Sequence, residues 1–128
     1  MIKRMSSSVE KAAKLLIVDD SEPIRNVLSS MLTAQGFGVD AAANGNEALH
    51  LLNETDYDIV LTDINMPIMT GIELYHRIEH TCPKVANKVV FMSADTPNHQ
   101  THRFFTEINR PFLSKPFTID SLLNAIGK

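Results

Sequence analysis

Five side chains able to do chemistry together each follow a short apolar run. Asp19 and Asp20 come after Lys14–Val18 (KLLIV), Asp63 after Ile59–Thr62 (IVLT), Ser93 after Lys88–Met92 (KVVFM) and Lys115 after Phe112–Ser114 (FLS). Three carboxylates cannot gather bare, because two unit charges about 4 Å apart repel by about 4 kcal/mol at an effective dielectric near 20. Protons or a cation must relieve them. Oxygen ligands on loops suit Mg²⁺, which takes one or two carboxylates and keeps waters for a phosphoryl group. Lys115 supplies a second positive charge, for Asp63 or for a phosphoryl oxygen. The Ser93 hydroxyl can donate one hydrogen bond to the same group. An aspartate flanked this way has the neutralising groups that a phosphoryl acceptor needs.

The elements that must position these residues alternate strand and helix. Lys14–Val18 is apolar without alternation, as expected of a strand covered on both faces. Ser21 caps the first helix, Pro23 lies in its first turn, and Gly36 ends it. Ile24, Val27, Leu28, Met31 and Leu32 form its apolar stripe. The pattern then predicts a strand over Phe37–Ala42, a helix over Glu47–Asn53, a strand over Ile59–Thr62 and a helix over Gly71–His80. A strand over Lys88–Met92, a polar helix over Pro97–Glu107, a strand over Phe112–Ser114 and a last helix capped by Thr118 complete it. Helical segments between apolar strands imply parallel pairing with right-handed crossovers, hence a doubly wound five-stranded parallel α/β sheet. Ligands bind such sheets outside the carboxyl ends of the strands, where all five chemical side chains fall.

Composition narrows the class. The chain of 128 residues is one domain by length, and 44% apolar with 21% charged residues is a globular balance. Twelve basic against fifteen acidic residues give −3 with no basic face, which disfavours nucleic acid as a partner. Apolar runs stop at four or five residues, so no membrane span is expected. The single Cys82 excludes an internal disulfide framework and fits a reducing, cytoplasmic setting. Met1–Ala13 reads as a flexible tail before a domain over residues 14–128, since no apolar stretch follows Lys3 and Arg4.

The segments LLIVDDSEP, IVLTDINMPIMTGIEL, VVFMSAD and FLSKPF, in that order, resemble the receiver domain of two-component response regulators from about Lys14 to Ile126. The resemblance implies a flavodoxin-like (βα)5 three-layer sandwich. It implies that Asp19 and Asp20 hold Mg²⁺ with Asp63 and the backbone carbonyl of Asn65. It makes Asp63 the phosphorylated residue, Ser93 and Lys115 the contacts of the phosphoryl group, and Phe112 the aromatic switch. Met66-Pro67 and Gly71 match the loop after the acceptor, and a cis peptide is implied at Lys115–Pro116. Asn65 and Asp95 match positions that tune hydrolysis, which implies a short to intermediate phosphoryl lifetime. The implied partner is a histidine kinase or a histidine phosphotransfer protein, with Mg²⁺ as cofactor.

Two features depart from the commonest pattern. Thr106–Pro111 replaces a frequent Gly-Ala pair, and RPFLSKPF resembles receivers fused to hybrid histidine kinases. Phe112 stands where Tyr is equally common, so that position offers no hydroxyl.

Plainer readings exist for each residue. An acidic pair after a strand can simply face a helix N-terminus; Ser93 can be a cap, Lys115 a solvated charge, Phe112 core. His76 and His80 are spaced as a zinc pair, but no third ligand is evident. A haloacid-dehalogenase-like phosphatase needs an acid/base Asp where Asn65 stands. A flavodoxin-type cofactor binder needs a phosphate loop where Asp19 and Asp20 would repel phosphate. A degenerate receiver would lack site residues, and here all are filled. The expectation is therefore a switch that accepts phosphate and loses it slowly, not a turnover enzyme. No output domain follows Lys128, so output is expected through protein contact, onward phosphotransfer or phosphate sinking. Phosphorylation is expected to move the face of the fourth helix, fifth strand and fifth helix, with His99, His102, Arg103 and Phe104 on it.

Overall fold

The computed structural model describes residues 13–94, 99–115 and 117–127. The expected tail lies almost wholly outside them, as do Asp95 and Pro116 with its implied cis bond. The order is β1 (Lys14–Val18), α1 (Glu22–Ala34), β2 (Gly38–Ala42), α2 (Gly45–Glu54), β3 (Ile59–Asp63), α3 (Gly71–Thr81), α4 (Pro83–Ala86), β4 (Val89–Ser93), α5 (His99–Ile108), β5 (Phe112–Ser114) and α6 (Ile119–Gly127).

All strand pairs are parallel, in the order β2-β1-β3-β4-β5. Alternate residues of each buried strand feed opposite layers. Leu16, Val18, Val60 and Phe91 meet Leu52 of α2, Leu74, Tyr75 and Ile78 of α3, and Phe105 of α5. Leu15, Ile17, Leu61, Val90 and Met92 meet Leu28 and Leu32 of α1 and Leu122 of α6. The fold is thus the doubly wound α/β sandwich that strand–helix alternation predicts.

Several boundaries differ from the sequence expectation. Phe37 is not in a strand. Helix α1 ends in a Schellman turn in which Gly36 takes φ 99°, Gly36 N–H donates to Thr33 O and Phe37 N–H to Leu32 O. Phe37 is consumed by that turn and β2 starts at Gly38. The four-residue α4, opened by Pro83, is too short to leave a periodic signal. Within the stripe of α1, Leu28 and Leu32 are buried but Val27 is 55% exposed. It lies along a surface groove with Ile24, Leu28, Met31, Ala94, Lys115 and Phe117, so the stripe is wider than the contact it makes. The expected caps form: Ser21 Oγ accepts from Ile24 N, and Thr118 Oγ1 from Ser121 N.

Candidate functional site

Strand register alone brings the acids together. Val18 pairs with Thr62 and Asp63 with Met92, so Asp19 and Asp63 end neighbouring strands and Ser93 ends the next. Ser93 pairs with Ser114, and Lys115 N–H donates to Ser93 O at 2.7 Å, which seats Lys115 beside β4. The chain leaves β1 towards β2 and leaves β3 towards β4, so the loops after β1 and β3 part and open a crevice over these residues.

Asp19 is 1% exposed, Asp63 7% and Ser93 2%, while Asp20 is exposed. Carboxylate oxygens of Asp19, Asp20 and Asp63 all lie within 4.8 Å of one another, the one such acid, His or Cys group among the described residues. Lys115 Nζ lies 3.0 Å from Asp19 Oδ2 and 3.6 Å from Asp63 Oδ1. Ser21 N–H donates to Asp19 Oδ1 at 2.9 Å and Ile64 N–H to Asp63 Oδ1 at 3.0 Å. Burial drives the Asp63 carboxyl above its ordinary range. Lys115 and the Ile64 N–H pull it back, while Asp19 and Asp20 push it further up. One ammonium does not compensate three carboxylates, and an all-oxygen donor set of this density suits a hard divalent cation such as Mg²⁺.

The loop after β3 is held tightly. Gly71 N–H donates to Ile64 O at 2.8 Å, and a Cβ at Gly71 would overlap the Asp63 carbonyl oxygen. Ile68 adopts φ 73° and is 82% exposed, a strained conformation for a β-branched residue. Asn65 Nδ2 donates to Ser93 Oγ at 3.3 Å, linking the β3 loop to the end of β4. Phe112 is half-buried and stacks on Phe105, with ring centroids 5.0 Å apart and an interplanar angle of 29°. Phe104, expected on an open face, is also half-buried and makes edge contacts with Tyr75, Phe91 and His76. His76 pairs with Glu79 at 3.2 Å.

The response regulator receiver domain family matches residues 15–127. The chain belongs to that family. This receiver is 36% identical over 114 residues to the two-component response regulator ORR5 of Oryza sativa subsp. japonica, covering 87% of this chain and 85% of that protein. It is 29% identical to the hybrid signal transduction histidine kinase K of Dictyostelium discoideum, covering 91% of this chain but 10% of that one. Other curated relatives are longer, and the chain spans about half or less of their length. Among solved structures it superimposes with TM-score 0.79 on the response regulator TrrA of Thermotoga maritima in complex with Mg²⁺-BeF. That pair shares 29% identity, covering 90% of this chain and 96% of the other. The receiver is a domain of two-component signalling, and no helix among its described residues is long and apolar enough to cross a membrane.

Two contacts were not legible beforehand. Lys115 is nearer to Asp19 than to Asp63, a choice that spacing along the chain does not encode. Arg25 Nη1 donates to the backbone oxygen of Asp19 at 2.8 Å, reaching back six residues from α1. Its only trace in the sequence is a cation just beyond an acidic pair.

Proposed function

We propose that this receiver is a phosphorylation switch in which Asp63 takes a phosphoryl group from a phosphohistidine. The observation that carries the reading is Asp63 itself: 7% exposed, at the carboxyl end of a central strand, with two further carboxylates within 4.8 Å and an ammonium at 3.6 Å. A buried carboxylate among acids is unstable unless cationic groups are intended to join it. An Asp63 oxygen attacks phosphorus, the N–P bond of the donor breaks, and its electron pair returns to the imidazole. Asp19, Asp20, Asp63 and the Asn65 carbonyl would hold Mg²⁺, which would supply positive charge for the phosphoryl oxygens. Lys115 would shift from Asp19 and Asp63 to a phosphoryl oxygen, and the Ser93 hydroxyl would turn to another. The Mg²⁺-BeF complex of TrrA supports this assignment by similarity.

The donor is a histidine kinase or a histidine phosphotransfer protein. The groove along α1 runs from Lys115 past Val27, and gives a donor helix an apolar surface to lie on beside the acceptor. The product is an acyl phosphate held on the protein and not a released metabolite, so the domain is a switch and not a turnover enzyme. Similarity to a hybrid kinase favours a second reading, a kinase-linked receiver that passes phosphate onward to a phosphotransfer protein. Incubation with acetyl phosphate tests the shared chemistry. Intact mass should show one added phosphoryl group with Mg²⁺ and none in excess chelator; equal labelling in both would defeat the proposal.

A further inference from the structure

Asp20 differs from its two acidic neighbours: none of the described residues holds its side chain. Asp19 is fixed by Ser21 N–H at 2.9 Å and by Lys115 at 3.0 Å. Asp63 is fixed by Ile64 N–H at 3.0 Å and faces Lys115 at 3.6 Å. No hydrogen bond or ion pair among the described residues reaches the Asp20 carboxylate, and the residue is exposed. Its direction therefore depends on its backbone.

That backbone is pinned from outside the loop. The Arg25 guanidinium, half-buried on α1, donates from Nη1 to the Asp19 carbonyl oxygen at 2.8 Å. On the other side, Asp19 N–H donates to Ala42 O at 3.2 Å, tying the residue to β2. The peptide linking Asp19 to Asp20 is planar, so fixing its oxygen fixes the plane containing the Asp20 nitrogen and Cα. Only the Asp20 torsions then remain to place its carboxylate. Without Arg25, that peptide can rotate and carry Asp20 away from Asp19 and Asp63.

We propose that Arg25 is a positioning residue for divalent-cation binding, which aims Asp20 into the acidic pocket by holding the Asp19 carbonyl. This rests on the reading of the three carboxylates as a Mg²⁺ site. Charge alone predicts the opposite sign. A guanidinium near the pocket repels an incoming dication, so its loss would tighten binding. A purely helix-stabilising role predicts lower thermal stability with unchanged metal affinity, and Arg and Met have similar helix propensity.

The test is a Mg²⁺ titration followed by backbone amide shifts in NMR on the wild type, Arg25→Met, Arg25→Lys, Asp20→Asn and the Arg25→Met/Asp20→Asn double variant. Arg25→Met should raise Kd by about tenfold, the low end for a residue that orients a metal ligand from behind. Arg25→Lys, which keeps the charge and N–H donors on a compact head without the planar fork, should fall between it and the wild type. In the Asp20→Asn background, Arg25→Met should change Kd little further, because both act through the same carboxylate. In the metal-free Arg25→Met protein the Asp20 amide should shift while the Leu61 and Val90 amides stay. Unchanged or tighter Mg²⁺ binding in a folded Arg25→Met protein, or full additivity with Asp20→Asn, would overturn the inference. A wild type that binds no Mg²⁺ would instead overturn the metal reading beneath it.

Discussion

The Lys115 ammonium lies 3.0 Å from Asp19, closer than its 3.6 Å to Asp63, although Asp63 is the proposed acceptor. Lys115 therefore compensates the most deeply buried carboxylate of the site before any phosphoryl group arrives. Removing it strands Asp19 at 1% exposure without a cation. Lys115→Met should lower the unfolding free energy in chelator by about 3 kcal/mol, the scale for breaking a buried pair. Mg²⁺ should restore part of the loss by substituting for the missing charge. Denaturant unfolding with and without Mg²⁺ measures both numbers, and equal losses in the two conditions would count against this role.

Asp63 should make the metal-free fold pH-sensitive with a definite sign. Its carboxyl is raised above the ordinary range, mainly by burial. The folded state then holds the proton more tightly than the unfolded chain. Its contribution to stability is full below the unfolded pKa and is lost as pH rises through the raised folded value. Asp63→Asn removes the ionising group. In chelator at neutral pH the variant should be the more stable by about 1 kcal/mol, or a few degrees in Tm. The gap should close as pH falls into the ordinary carboxylate range. Thermal melts across pH check this, and a pH-independent gap would contradict it.

The loop behind the acceptor has little room. A methyl at Gly71 would overlap the Asp63 carbonyl oxygen, so Gly71→Ala must move either β3 or α3. The expected loss is about 2 kcal/mol of stability, with slower labelling by acetyl phosphate. Gly38→Ala is the control, because among the described residues its new methyl would meet Lys14 Cγ at 3.8 Å and Ala13 O at 4.0 Å, both ordinary contacts. It should be close to neutral in both assays.

Asn65 Nδ2 donates to Ser93 Oγ at 3.3 Å, from a position two residues after the proposed acceptor. A polar side chain there can orient that water for in-line displacement. Asn65→Met should lengthen the lifetime of the phosphorylated protein several-fold. Decay followed by intact mass after removal of acetyl phosphate tests this, and an unchanged or shorter lifetime would remove Asn65 from the hydrolytic step.

Much of this arrangement is legible in the sequence. Unalternated apolar runs such as Leu15–Val18 and Val89–Met92 mark strands covered on both faces, and the residue following each run lands at a carboxyl edge. That is enough to gather Asp19, Asp63, Ser93 and Lys115. Contacts between elements were not readable. Which acid Lys115 prefers depends on the lateral placement of β5 against β4 and β1, and Arg25 folds back from a helix whose stripe describes only its inner face. Val27 fits the helical period but falls over a groove, and periodicity cannot show where a neighbouring layer ends. Phe37 has strand-like composition yet closes a helix, because Gly36 turns the chain there.

The site at which the phosphoryl group settles decides between a switch at Asp63 and any other acceptor. Borohydride reduction after treatment with acetyl phosphate and Mg²⁺ converts an aspartyl phosphate to homoserine, which peptide mass spectrometry can place. The prediction is conversion at position 63 alone, absent in the Asp63→Asn protein and absent when Mg²⁺ is chelated. Conversion at Asp19 or Asp20 in the wild type, or labelling of the Asp63→Asn protein to the same extent, would contradict it.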